Sequence, residues 1–196
     1  MKKIIEKIIN RDIDKSDMQR AIANFPKQID KSFNIMQQWS PINLYSDIEN
    51  ILLLGMGGSA IGGDVAKVIV QNSCSVPIII NRSYLIPEWV NSKTLIIASS
   101  YSGNTEETLS AFSKCKSRKC SILVLSAGGK LTDYAIDMGL DIITIPGGYQ
   151  PRAAIGYSFT LIVLILKRLG FISDTIVKHV KDSIAPLEKL CTKLIK

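Results

Sequence analysis

A doubly wound α/β domain, with a five-stranded parallel sheet in the order 2-1-3-4-5 and helices flanking it at both ends, is the fold this sequence predicts. Three observations carry the prediction. Five short runs rich in leucine and β-branched residues are separated by stretches of helical length, the runs are apolar without alternation, and glycine-bearing turns follow the first and third of them. Strands with no polar alternation are those buried on both faces, which calls for helices on each side of a parallel sheet. Right-handed crossovers leave few topologies for five such strands, and 2-1-3-4-5 is the simplest.

Residues 1–44 form the first unit. Apolar side chains recur there at helical spacing, at Ile4, Ile5, Ile8 and Ile9 and again at Ile22, Phe25, Ile29, Phe33 and Met36, and Pro26 marks a break, so two helices are expected. The central domain is read over 45–170. Its strands are ILLL (51–54), PIII (77–80), TLIIAS (94–99), SILVLS (121–126) and DIITI (141–145). The run Ala153 to Leu166 falls short of the roughly 20 residues of a membrane span and reads as a buried helix. Residues 171–196 read as a carboxyl-terminal helical segment.

With 196 residues, 46% hydrophobic and 21% charged, the chain has the composition of one globular core with helical flanks. The net charge of +7 does not point to nucleic acid, because its placement is wrong. Residues 1–31 hold 8 Lys/Arg against 5 Asp/Glu and residues 167–196 hold 7 against 3, which leaves the central domain balanced. Cys74, Cys115, Cys120 and Cys191 make no CxxC pair, and His179 is the lone histidine, so no metal site is expected. Unpaired cysteines and an opening segment interrupted by Glu6, Lys7 and Asp12 point to a cytoplasmic protein with reduced thiols, without a membrane partner. Cys74 and Cys120 are expected to serve as small apolar residues.

In the order 2-1-3-4-5 the strand order reverses between strands 1 and 3, so a ligand crevice opens at their carboxyl ends. Two loops lie there. GMGGSAIGGD (55–64) supplies Gly55, Gly57 and Gly58, which admit backbone conformations closed to other residues and let amides approach an anion, with Ser59 opening a helix. SSYSGNTEET (99–108) adds the hydroxyls of Ser100, Ser102 and Thr105 around Gly103, again at a helix start. Amides and hydroxyls suffice for a phosphate, and the absence of GK[ST] argues against a P-loop nucleotide site. Glu106 and Glu107 suit the helix dipole better than they suit a bound dianion. The competing structural role for these loops is close helix–strand packing, with Asn104 and Glu107 as a capping box.

The spacing Gly55-x-Gly57-x-x-Ala60 also matches a loose dinucleotide fingerprint. An NAD site wants Asp or Glu at the end of the second strand, where this chain has Asn81 and Arg82, and the hydroxyl-rich second loop has no role in that scheme, so no cofactor is assigned. A third segment, PGGYQPRAAIGYSF (146–159), carries Arg152 at a helix beginning, where a cation opposes the dipole and a carboxylate or ligand contact is the better use for it.

Together, GMGGSAIGGD, SYSGNTEET and PGGYQPRAAIGYSF resemble the bifunctional phosphoglucose/phosphomannose isomerases, members of the sugar isomerase (SIS) domain family, in their amino-terminal half. The resemblance implies a hexose 6-phosphate as ligand. Gly57, Gly58, Ser59, Ser100, Ser102 and Thr105 would bind its phosphate, and Arg152 would match the active-site arginine near the enediolate formed as a proton moves between C1 and C2. The family's catalytic glutamate and histidine lie in later sequence than anything matched here. His179 and Glu188 stand in no such motif, and His179 reads as a surface residue. The expectation is therefore a phosphosugar-binding SIS domain of an aldose–ketose isomerase, without its second SIS domain, that lacks the base when alone. The alternative is a non-catalytic phosphosugar-binding or regulatory module. A homodimer or a separate second SIS domain is the expected protein partner.

Overall fold

The computed structural model describes residues 14–195, and the first of the two expected amino-terminal helical patterns, Ile4 to Ile9, lies outside them. Described first are a short helix α1 (Met18–Ala23) and the longer α2 (Phe25–Gln38). Pro26 does not break a helix here but starts one. It occupies the first turn of α2, where its missing N–H would have had no intrahelical acceptor, and the chain bends at Asn24 instead.

Five strands follow: β1 (Asn50–Leu54), β2 (Ile78–Asn81), β3 (Thr94–Ser100), β4 (Ser121–Ser126) and β5 (Asp141–Thr144). They form one five-stranded parallel sheet in the order β2-β1-β3-β4-β5, as the apolar runs predict. Ile51 stands between Ile78 of β2 and Leu95 of β3, which centres β1 in the sheet beside the reversal of strand order. The edge strand β5 departs from the fully apolar pattern, since Thr144 is exposed.

Helices α3 (Gly57–Val70), α4 (Glu106–Ser117), α5 (Gly129–Asp137) and α6 (Ile155–Arg168) cover the two faces. Because side chains alternate along a strand, Ile51, Leu53, Leu95, Ile97, Leu123 and Leu125 pack under α2, α3 and α6, while Leu52, Leu54, Ile96, Ala98 and Val124 pack under α4 and α5. Each is fully buried. Truncating any of these leucines or isoleucines to alanine would cost about 2 to 5 kcal/mol through lost burial and the cavity left behind.

The apolar run ending at Leu166 is the buried helix expected from it: every residue of α6 from Gly156 to Leu166 is buried. It lies between α3 and α2. At its start the Phe25 and Phe159 rings stack at 5.9 Å, and Gln28 Nε2 donates to the Ala153 carbonyl at 2.7 Å. At its end Arg168 donates to the Met36 carbonyl at 2.9 Å. Helix α2 thus braces both ends of α6. Helices α7 (Asp174–Asp182) and α8 (Ile184–Ile195) close the chain, and no described helix is long and apolar enough to cross a membrane.

Candidate phosphate-binding site

The carboxyl ends of β1 and β3 deliver the two loops to one place. After β1 the chain turns at Gly55–Met56 and enters α3 at Gly57, with Ser59 as the third residue of the helix rather than its opening one. The Ser59 and Ala60 amides both donate to the Met56 carbonyl, at 3.1 and 3.3 Å. The amides of the first turn preceding them, Gly57 and Gly58, have no intrahelical acceptor and carry the positive end of the helix dipole. Gly57 is exposed and Gly58 half-buried. A Cβ on Gly58 would lie 2.7 Å from the Pro151 carbonyl oxygen and 3.1 Å from the Arg152 Cα, so the lack of a side chain there lets the Arg152 segment rest against the start of α3.

After β3, Ser100 is buried and its hydroxyl pairs with that of Thr105 at 3.0 Å, across a turn closed by the Gly103 amide on the Ser100 carbonyl. Ser102 is exposed, and its hydroxyl accepts the Asn104 amide at 3.2 Å. Each of these hydroxyls has a proton or a lone pair left for a ligand. Ser59 is buried and joins the loops: its hydroxyl accepts the Tyr101 amide at 3.2 Å, which leaves its proton free to donate.

The expected Asn104–Glu107 capping box does not form. The N-cap is Thr105, without a side-chain cap bond. The Asn104 side chain is drawn to the neighbouring turn, where it accepts the Lys130 amide at 3.1 Å while its Nδ2 donates to the Ser102 carbonyl at 3.1 Å. That amide, at the start of α5, is one of the unpaired donors every helix start presents, and it outcompetes the local cap.

The turn after β4 is a part of the site that sequence reasoning missed. The Leu131 amide donates to the Gly103 carbonyl at 2.9 Å, and the Ala127 amide donates to the Tyr101 carbonyl at 3.0 Å. A Cβ on Gly103, whose φ is +66°, would fall 1.7 Å from the Gly128 carbonyl oxygen, so this position demands glycine twice over. The signal was available. Gly128 and Gly129 lead from a strand into a helix much as Gly57 and Gly58 do, one position earlier, with Gly128 as the N-cap and Gly129 as the first helical residue.

Arg152 lies in a 3-10 turn, Pro151–Ala153, that precedes α6. It is exposed, and no carboxylate among the described residues pairs with it. Arg82, in contrast, is paired with Asp64 of α3, and the Asn81 side chain holds the Ser83 and Leu85 carbonyls at 3.1 Å each. Glu107, and after it Glu106, lie close enough to Tyr84 to raise its phenol pKa, and the Ser110 and Lys114 side chains of the same helix bond the Tyr84 carbonyl. His179 and Glu188 are exposed on α7 and α8. Cys74 and Cys120 pack against the cores at half burial, and no group of three or more His, Cys, Asp or Glu is gathered among the described residues.

No family model matches the chain. It is 43% identical over 173 residues to a bifunctional phosphoglucose/phosphomannose isomerase of Caldicellulosiruptor bescii, which covers 88% of this chain and 51% of that protein. The C-terminal domain of glucosamine-fructose-6-phosphate aminotransferase from Francisella tularensis has the same fold, with a TM-score of 0.60 at 16% identity over 89% of this chain and 53% of that one. Vibrio vulnificus NanR, solved in complex with ManNAc-6P, matches with a TM-score of 0.50 at 14% identity over 91% of this chain and 67% of that one. At such identities the solved structures speak for the fold alone. With that fold and the sequence identity together, the chain, which spans about half the length of its Caldicellulosiruptor bescii relative, belongs to the bifunctional phosphoglucose/phosphomannose isomerase family and carries an SIS domain.

Proposed function

We propose that this chain is the phosphosugar-binding SIS domain of a glucose-6-phosphate/mannose-6-phosphate aldose–ketose isomerase. One observation carries the reading: two helix starts meet at the reversal of strand order, bringing the Gly57 and Gly58 amides and the Ser59, Ser100, Ser102 and Thr105 hydroxyls to one edge of the sheet. A phosphate dianion satisfies such an array of donors. Helix dipoles favour its charge, and no lysine is required. The hexose 6-phosphate would then extend from this edge toward the segment carrying Arg152, which rests against Gly58.

In the reaction class, the sugar ring opens and a proton moves between C1 and C2 through a cis-enediolate. Arg152 is suited to hold the developing oxyanion, because a guanidinium keeps its charge and offers a fork of donors. It cannot accept a proton from carbon at neutral pH. Acid and base groups each contribute about 100- to 10,000-fold, so binding without turnover is the expected behaviour of this chain by itself. A coupled assay of fructose 6-phosphate conversion on the purified chain tests that division. Robust turnover by the chain alone would overturn it.

The second reading is a phosphosugar-binding or regulatory module, favoured by the fold shared with NanR, which was solved with a phosphosugar bound. Both readings require phosphate-dependent binding. Fructose 6-phosphate should raise the melting temperature while free fructose does not, by mass action on the native state. Equal stabilisation by the unphosphorylated sugar would remove the phosphate cradle from both.

A further inference from the structure

We propose that the Tyr101 hydroxyl is a positioning group, a clasp that holds residues 146–150 against the phosphate loops and thereby sets the Arg152 segment at the correct reach for the sugar. This rests on the phosphosugar reading above. The tyrosine stands where four segments meet, although neither its ring nor its hydroxyl is needed to hold a phosphate. Its amide donates to Ser59 Oγ of the first loop at 3.2 Å. Its carbonyl accepts the Ala127 amide of the turn after β4 at 3.0 Å. Its hydroxyl donates to the Pro146 carbonyl at 2.9 Å and accepts the Tyr149 amide at 2.9 Å. Both capacities of the phenol are therefore spent on one stretch of backbone.

That stretch has few other local means of holding its shape. Gly147 and Gly148 lie inside it, and a Cβ on either would meet nothing within 4 Å, so the two glycines pack against little. Beyond the Tyr101 bonds, its other anchor is the Tyr149 ring, which packs edge-on against Tyr157 at 5.7 Å. Downstream, the Ala153 amide donates to the Gln150 carbonyl at 2.8 Å, so the clasped residues run directly into the 3-10 turn that carries Arg152. Tyr101 is buried, and that desolvation raises its pKa, which keeps the phenol a neutral donor over the working pH range. Loops 1 and 2 present the phosphate donors; the clasp registers a third segment against them. Its loss should leave phosphate binding alone and remove the extra affinity that the sugar contributes.

The test is calorimetric titration of inorganic phosphate and of fructose 6-phosphate into the wild type, Tyr101→Phe, Arg152→Ala and the double variant, with amide hydrogen exchange followed at Tyr149. Tyr101→Phe should change phosphate affinity by less than about twofold and cut the advantage of fructose 6-phosphate over phosphate by about tenfold, the loss typical of an interaction worth one hydrogen bond. Exchange at Tyr149 should accelerate. Arg152→Ala should lose the same advantage, and the double variant no more than either alone, because both act through one segment. An unchanged fructose 6-phosphate advantage in Tyr101→Phe, an equal loss for both ligands, or additive losses in the double variant would overturn the clasp. A wild type that binds neither ligand would instead sink the phosphosugar reading itself, an outcome distinct from those three.

Discussion

At the amino end of β5, Asp141 is buried with four donors aimed at its carboxylate: the Ile42 and Asn43 amides at 2.8 and 3.0 Å, Asn43 Nδ2 at 3.0 Å and the Tyr45 hydroxyl at 2.7 Å. At the opposite end of the sheet, beyond β1 and β3, donors are in excess. The first-turn amides of α3 have no helical acceptor, the Ser100 and Thr105 hydroxyls have only each other, Ser99 Oγ is fully buried without a partner, and Arg152 has no carboxylate among the described residues. The contrast separates two uses of polarity. A cluster in which one anion already satisfies every donor is a structural tie, here fastening residues 42–45 to the sheet. A cluster of donors with no carboxylate of the described residues among them is what the proposed phosphate site requires.

The largest expected effect lies at the satisfied end. Asp141→Ala should destabilise the fold by about 3 kcal/mol, since hydrogen bonds to a buried charge are lost and their donors are stranded, while the fructose 6-phosphate affinity of the folded fraction stays the same. Urea denaturation read alongside calorimetry would show it, and a matching loss of affinity would erase the distinction between the two ends. Burial acts to raise the Asp141 pKa, but the amides of Ile42 and Asn43 and the side chains of Tyr45 and Asn43 outweigh it and hold the carboxyl below the usual range. A depressed folded-state pKa means stability that is complete above the unfolded value of about 3.9 and is lost as pH falls through the lower folded value. Denaturation midpoints of the wild type should therefore drop below about pH 4 more steeply than those of Asp141→Ala.

Next in size is a change that damages the open end through its backbone. Gly103→Ala places a Cβ on the Gly128 carbonyl at a left-handed φ, a strain of about 1 to 3 kcal/mol. Stability should fall by that amount and the melting-temperature rise produced by fructose 6-phosphate should vanish, because the turn carrying Ser102 and Thr105 shifts. A preserved ligand-induced rise would show that the second loop is not part of the cradle.

Ser102→Ala separates the two ends most cleanly, since the residue is exposed and its removal leaves the core untouched. Affinity for fructose 6-phosphate should weaken by about 1 to 3 kcal/mol with the circular dichroism spectrum and urea midpoint unchanged. Unchanged affinity by calorimetry would take this hydroxyl out of the site. Smallest of all is Arg82→Ala. It breaks an ion pair with Asp64 whose side chains are 42% and 41% exposed, worth under about 1 kcal/mol after solvent screening. Phosphosugar binding should be unaffected, and neither the variant nor the wild type should give a saturable fluorescence titration with NADPH at micromolar concentration.

The five strands, their order and the two glycine- and hydroxyl-bearing loops beyond β1 and β3 were legible in the sequence because each depends on near neighbours. Burial on both faces writes itself as an unbroken run such as Thr94–Ser100, and a chain reversal at a helix start writes itself as glycines beside hydroxyls. Topology rules then left one simple order. The expectation of no dinucleotide at the first loop is likewise a local reading, resting on Asn81 and Arg82 where a ribose-binding acid would be needed, and the NADPH titration is its test.

What only the tertiary structure decided is which polar groups find one another. Gln28 reaches the Ala153 carbonyl across 125 residues, Tyr101 reaches Pro146 and Tyr149, and Asn104, just ahead of α4, accepts the Lys130 amide instead of capping that helix. None of these partners is signalled by spacing. Ser99 and Ser100 are adjacent letters, yet the alternation of the strand sends them to opposite faces, and one hydroxyl finds Thr105 while the other finds no partner. The physical reason is the range of the forces. Hydrophobic burial and backbone conformation are encoded residue by residue, whereas a hydrogen bond exists only where packing brings donor and acceptor within about 3 Å, and in this domain the packing of α6 against α2 and α3, and of α3 against the Pro151–Ala153 turn, helps to determine where that happens.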